Sequence, residues 1–443
     1  MKILHTADWH IGKRLERFPR LEEQRQVLQE IVAITEEEDP DLVIVAGDLF
    51  DTFNPGSDAQ ELLYHTLRDL ARDGTRGVIA IAGNHDSPDR VVAPEVLART
   101  HGILLAGYPE ETADTFTAGA VSVARSEPGF VELSIDRPGV AGVPIRVLLV
   151  PYANEVRLRR ALDPAGDQEQ ALQDVLAERW RERAQRSLQG EGINLLVAHL
   201  MFAADPENPP EEPDGERPIA HIGGAPALST AIVPAEVQYA ACGHLHRSHP
   251  VTGPAPLYYS GSPLAYSFAE AGHEKSVTIV EVEPRGSLGS EATVRRRPLT
   301  AGRELLRYHA SSVEDALAWL VEHPAALVEL SITLPNYLSG ADRRRLHELH
   351  DGIVTIVPLS ASSSTNEERA GAQIDPTGDI HGLFARFFFE RHGVEPDDAM
   401  RELFREVLAE VGRGEDGAPD DPVDDPLAAS AHRQTNSTQE PHS

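Results

Sequence analysis

Cysteine is nearly absent. Cys242 stands alone among 443 residues, so no disulfide can form within the chain and packing must hold the fold. Its neighbours Tyr239, Ala240 and Ala241 are apolar, which predicts a small core residue and leans toward a reducing compartment. Positive charge is also scarce. The chain sets 40 Lys and Arg against 71 Asp and Glu, a formal net charge of -31 that would repel nucleic acid if spread evenly. A polyanionic substrate therefore requires local basic patches or bound cations. No apolar run approaches the roughly 20 residues of a membrane span, and Met1 to His5 leads straight into a polar motif without room for a signal peptide. A cytoplasmic protein with no membrane partner is expected.

What is present is the composition of a folded globular chain, 41% hydrophobic and 25% charged, long enough for about two to three domains. Short apolar runs at Lys2 to His5, Leu42 to Ala46 and Val78 to Ala82 predict strands, each running into a cluster of Asp, His or Asn. Between them, Glu22 to Glu37 and Ser57 to Arg72 carry apolar residues at helical spacing. This alternation predicts a layered α/β sandwich. Further strands, the last over Ser276 to Glu283, and a helix over Gln168 to Ser187 extend the first domain across residues 1–284. The pattern then changes over 285–360 to a strand, helix, strand, helix, strand unit, a small α+β domain. Residues 361–378 read as a polar linker and 379–411 as two helices rich in Leu and Phe. The stretch 412–443 reads as a disordered acidic tail. Ala203 to Pro218, rich in Pro and Glu, predicts a surface loop.

The chemistry lies in short motifs that occur in order: Asp8-Trp9-His10, Gly47-Asp48, Gly83-Asn84-His85-Asp86, His199 alone, and Gly243-His244-Leu245-His246. Each by itself is a weak signal, since a single histidine is more often a satisfied structural group than a ligand. Together they are informative, because each follows a predicted strand and strand ends on one edge of a sheet converge on a crevice. Carboxylate, carboxamide and imidazole without thiolate suit Mn²⁺, Fe or Zn²⁺ and disfavour a structural zinc finger. Two ions a few ångströms apart need a shared carboxylate, and Asp48 is the natural bridge. Such a pair would also hold a bridging hydroxide as nucleophile near neutral pH.

Longer strings carry more: HTADWHIGK at His5 to Lys13, GNHDSPDR at Gly83 to Arg90, GHLHRSH at Gly243 to His249, and YSGSPLAYSFAEAGHEKSV at Tyr259 to Val277. In these the chain resembles the calcineurin-like metallophosphoesterase superfamily and, within it, the SbcD family of nuclease subunits. The resemblance implies a four-layer α/β/β/α sandwich with a small α+β cap domain and a C-terminal helical segment that grips a partner. It implies two divalent metal ions, Mn²⁺ first among them, one held by Asp8, His10, Asp48 and His246 and the other by Asp48, Asn84, His199 and His244. It implies that His85 faces the scissile phosphate as an acid or charge stabiliser, with Asp51 orienting it. Asp86 fits a structural turn as well as a catalytic role. The implied partners are DNA, an SbcC-type coiled-coil ATPase gripped by Leu383, Phe384, Phe387, Phe388, Leu403, Phe404, Val407 and Leu408, and a second copy in a homodimer within a heterotetramer. The implied activity is 3′ to 5′ exonuclease action on duplex ends and endonuclease action on single strands and hairpins.

Two rivals share parts of this pattern. A small-substrate metallophosphodiesterase shares the ligand set but has no use for a cap or aromatic helices. A non-catalytic DNA-end scaffold has no use for a complete ligand set. Lys13, Arg14, Arg17 and Arg20 form a basic run that either meets phosphates beyond the scissile one or pairs with Glu16, Glu22 and Glu23.

Overall fold

The computed structural model describes residues 1–154, 156–158, 168–205, 227–284, 292–334 and 338–360, with Phe384, Phe388, Pro396, Met400, Arg401 and Phe404. The expected linker 361–378, tail 412–443 and most of the loop Ala203 to Pro218 lie outside the described residues, as does most of the segment 379–411 expected to be helical. The chain divides into two compact units, residues 1–332 with 338–357 and residues 333–337 with 358–443. In the second, the Phe384 ring stacks on Phe404 at 3.9 Å.

The first unit is a mixed α/β fold built on two sheets. One has six strands in the order Thr293–Pro298, Ser276–Glu281, Lys2–Thr6, Leu42–Val45, Gly77–Ile81 and Ile103–Ala106. The last four are mutually parallel, and Ser276–Glu281 runs antiparallel to both of its neighbours. The other sheet has eight strands, and its parallel core is Leu257–Tyr259, Tyr239–Gly243, Ile193–His199 and Ile145–Val150. Parallel strands are buried on both faces, which is why these segments read as unbroken apolar runs and not as alternation.

Successive side chains leave a strand on opposite faces, so each strand feeds two cores. From the first sheet, Leu4, Val43, Val45, Val78 and Leu105 pack on Val27, Leu28 and Ile31 of helix Leu21–Glu38 and on Leu62, Leu63 and Leu67 of helix Ser57–Ala71. Their neighbours Ile3, Leu42, Ile44, Ile79 and Ile81 pack on Val147, Leu149, Leu195, Val197 and Ala241 of the second sheet. The far face of the second sheet, with Leu148, Leu196, Ala240 and Cys242, meets Leu172, Leu176 and Trp180 of helix Gln168–Ser187. Cys242 is a free, buried core residue, as its surroundings in sequence predict.

After the sheets come Leu305–Ala310, helix Val313–Glu322, Leu327–Leu334, helix Gly340–Leu349 and Ile353–Ser360. The three strands form their own sheet, and Ser312 and Ser339 cap the helices by accepting from the main-chain N–H groups of Asp315 and Asp342.

Two expectations need correction. The sheet has a further parallel strand, Ile103–Ala106, whose short apolar run is not among the expected strands of the first 110 residues. The boundary expected at 284/285 falls inside the first sheet: Thr293–Pro298 is its edge strand and does not open the smaller domain. Arg295 and Arg297 on that strand both clamp Glu38 at the end of the first helix, so these arginines serve the sheet. A chain ended at residue 284 leaves Ser276–Glu281 as an open edge, which invites association. It is expected to melt lower and to aggregate in gel filtration relative to one ended at Leu299; equal behaviour of the two would overturn this boundary.

Candidate metal centre and active site

Each expected ligand sits at the C-terminal end of a parallel strand. Asp8 and His10 follow Lys2–Thr6, Asp48 follows Leu42–Val45, Asn84 follows Gly77–Ile81, His199 ends Ile193–His199, and His244 and His246 follow Tyr239–Gly243. The two sheets face each other here, so residues up to 236 positions apart meet. Main-chain bonds continue past the strands and carry the first two motifs side by side: Asp8 N–H to Gly47 C=O at 3.0 Å and His10 N–H to Asp48 C=O at 2.9 Å.

The approach is close enough to require glycine. A Cβ on Gly47 would lie 2.2 Å from His199 Nδ1, one on Gly83 would lie 2.1 Å from Asp48 Oδ1, and one on Gly243 would lie 2.0 Å from the Ala46 carbonyl oxygen. Four of the ligands themselves hold left-handed backbone, with φ of 55° at Asp8, 43° at His10, 48° at Asp48 and 103° at His244. Side chains rarely accept that conformation, and its concentration at one point marks a site the rest of the fold over-determines.

The ligand atoms converge. His10 Nε2 and His246 Nε2 stand 2.9 Å apart, and His199 Nε2 and His244 Nδ1 lie 2.9 and 3.0 Å from Asn84 Oδ1. Between these groups, Asp48 Oδ2 is 3.5 Å from both His10 Nε2 and His199 Nε2. Asp8 is fully buried, and its Oδ2 has no hydrogen-bond partner among the described residues. The clusters Asp8–His10–His246 and Asp8–Asp48–His199 each bring one donor atom per residue within 4.8 Å of the others, a geometry able to hold an ion.

Electrostatics point the same way. Burial pushes the Asp8 carboxyl up to about 6, against the pull of His199 and His246. For His199, burial opposes the charged ring, but Asp48 and Asp8 outweigh it and push the pKa up to about 9. Two buried carboxylates faced by imidazoles demand positive charge. The donor set of carboxylate, carboxamide and imidazole therefore fits divalent metal ions.

His85 lies beside this centre, its ring 4.8 Å from that of His10 and its main-chain N–H on Asp48 Oδ1 at 2.9 Å. The expected link to Asp51 exists through a different atom. His85 Nδ1 meets the Asp51 main-chain oxygen at 3.0 Å, whereas the carboxylate faces Lys13 Nζ at 3.3 Å and His10 Nδ1 at 3.8 Å. A carbonyl can only accept, so Nδ1 carries the proton and Nε2 is the free atom. Asp86 has a structural role: its buried carboxylate accepts from the N–H groups of Leu49, Phe50 and Gly83 at 3.0, 2.8 and 2.8 Å, locking the second and third motif loops together. Of the basic run, Arg20 is buried against Glu23 and the Ala265 carbonyl, while Arg14 and Arg17 are exposed.

Sequence reasoning missed several supporting residues. Buried Arg157 donates to the carbonyls of Gly83, Asn84 and Asp86, and Gln24 ties His10 C=O to Gly12 N–H. Glu270 stands behind His246 at 3.3 Å. Only Glu270 had a local signal, as the last residue of a Ser-x-x-Glu capping box from Ser267. Removing the Asp86 acceptor orphans three buried donors, each costing about 1–3 kcal/mol. Asp86→Ala is therefore expected to destabilise the chain by several kcal/mol in denaturant unfolding; a change below about 1 kcal/mol would refute the locking role.

The calcineurin-like phosphoesterase family matches residues 1–248. The chain is 35% identical to the SbcD subunit of the Bacillus subtilis nuclease SbcCD, over 93% of its own length and 98% of the relative's. It is 32% identical to the SbcD subunit of the Rhodobacter capsulatus nuclease over 75% of this chain and 76% of that one. The corresponding protein of Staphylococcus epidermidis is 29% identical over 68% and 70%. Among the described residues no helix is long and apolar enough to cross a membrane. With the converging ligands, these matches establish that the chain is a phosphodiester hydrolase belonging to the calcineurin-like phosphoesterase family and, within it, to the SbcD nuclease subunits of SbcCD.

Proposed function

We propose that the chain is a two-metal DNA nuclease that works with an SbcC-type coiled-coil ATPase. The observation that carries the metal reading is the place of Asp48, whose Oδ2 lies 3.5 Å from an imidazole nitrogen on either side. In this reading Asp8, His10, Asp48 and His246 hold one ion and Asp48, Asn84, His199 and His244 the other, with Mn²⁺ as the working metal. When bound, the ions supply Lewis-acid stabilisation of phosphoryl charge and a water of lowered pKa. His85 then presents Nε2 to the leaving oxygen while its Nδ1–H stays donated to the Asp51 carbonyl.

Other features support the finer points. A four-layer arrangement accords with the three apolar cores, one between the sheets and one on each outer face. A DNA-facing cap accords with Phe18 and Leu15 packing on Leu305, Leu327 and Val354, which draws exposed Arg14 and Arg17 to the smaller sheet. A homodimer is also proposed, on the resemblance described above. The segment 379–411, expected from its sequence to be helical and aromatic, remains the proposed grip on the ATPase. The cleavage modes proposed are 3′ to 5′ exonuclease action on duplex ends and endonuclease action on single strands and hairpins.

The test is incubation with Mn²⁺ and a labelled linear duplex beside a small bis-phosphodiester. Both are expected to be cleaved, and His85→Gln is expected to slow both by about 10²- to 10⁴-fold. Cleavage of the small ester alone, even with the ATPase added, points to a small-substrate phosphodiesterase, and DNA binding with neither activity to a scaffold. Arg17→Glu is expected to weaken duplex binding and lower the slope of log affinity against log salt by about 1, leaving hydrolysis of the small ester unchanged. An unaltered slope removes Arg17 from the DNA path.

A further inference from the structure

We propose that Glu270 is a positioning residue for one half of the metal centre, fixing His246 so that its Nε2 is presented to the ion it would share with Asp8, His10 and Asp48. This rests on the two-metal reading above and adds a residue outside the expected ligand set.

The geometry is specific. Glu270 is 4% exposed, and its Oε1 lies 3.3 Å from His246 Nδ1. A carboxylate can only accept there, so Nδ1 must carry the proton and the lone pair falls on Nε2, the atom that faces His10 Nε2 at 2.9 Å. A metal-ligating histidine whose second nitrogen donates to a carboxylate is held in tautomer and orientation and is a more basic ligand.

Glu270 is itself held rigidly. Oε1 also accepts from the N–H groups of Tyr266 at 3.0 Å and Ser267 at 3.2 Å, and Oε2 takes Ser262 Oγ at 3.2 Å and an ion pair with Lys275. Lys275 in turn reaches Ser262 Oγ at 2.8 Å and the His246 carbonyl at 3.3 Å, so the cation that balances Glu270 also ties down the histidine's main chain. Phe268, two residues before, packs with Leu305 and Leu327 of the smaller sheet. The strap Gly261–Lys275 thus fastens His246 at one point and the cap at another.

The backing of His246 differs from that of two other imidazoles of the centre. His199 Nδ1 lies 2.8 Å from the Ala46 carbonyl, a main-chain acceptor that no side-chain substitution removes. His10 Nδ1 has no hydrogen-bond partner among the described residues. Glu270 backs His246, which belongs to one half of the centre, so its loss should weaken one ion and spare the other.

The full chain is stripped with a chelator and titrated with Mn²⁺ by calorimetry, beside Glu270→Gln and the double variant Glu270→Gln with Lys275→Met. The double variant avoids leaving a half-buried ammonium unpaired. Wild type is expected to bind two ions. Both variants are expected to retain one site unchanged and to lose about 10- to 100-fold in affinity at the other, while unfolding cooperatively without metal. Wild-type affinity at both sites in a folded variant overturns the proposal, as does equal loss at both, which signals general disruption. Fewer than two ions on wild type overturns the metal reading itself, and two ions without nuclease action overturns the function alone.

Discussion

Two carboxylates, Asp8 and Asp48, are buried at the junction of two sheets and faced by imidazoles, of which His199 is the one whose pKa they push up. Removing such charges from water costs several kcal/mol each unless positive charge is supplied at short range. The arrangement around them answers that demand. Strand ends from both sheets deliver four imidazoles and a carboxamide, and three glycines remove the side-chain atoms that would keep the loops apart. The left-handed backbone at Asp8, His10, Asp48 and His244 belongs to the same arrangement, because the chain must turn sharply to aim each side chain inward.

Strain of that kind persists only when neighbouring structure holds it. Here the holding is done by buried polar groups that join one motif loop to another. Asp86 gathers N–H groups from two loops, Arg157 gathers three carbonyls from one, Gln24 closes the first loop, and the Glu270–Lys275 pair fixes the last histidine. All of them are satisfied networks, which is the condition under which a buried polar group specifies geometry instead of weakening it.

The charge imbalance of the chain also takes a definite form. Several arginines are engaged internally and so are not available to a polyanion: Arg20 with Glu23, Arg157 with main-chain carbonyls, Arg295 and Arg297 with Glu38. Arg14 and Arg17 are exposed on the short hairpin that packs against the smaller sheet. In an acidic protein, a substrate of like charge is met by a few placed cations and not by the net field.

The sequence by itself determined most of the parallel strands and the candidate ligand types, because a strand buried on both faces needs an unbroken apolar run and the Asp, Asn and His side chains follow the runs directly. It could not reveal Ile103–Ala106 or the edge strand Thr293–Pro298, since their place depends on a neighbour and not on their own pattern. Nor could it tell that Asp51 meets His85 through its main chain, or that Glu270 stands behind His246. Those are distances between loops, and only the packing of two sheets on a shared core decides which atoms of those loops come within reach.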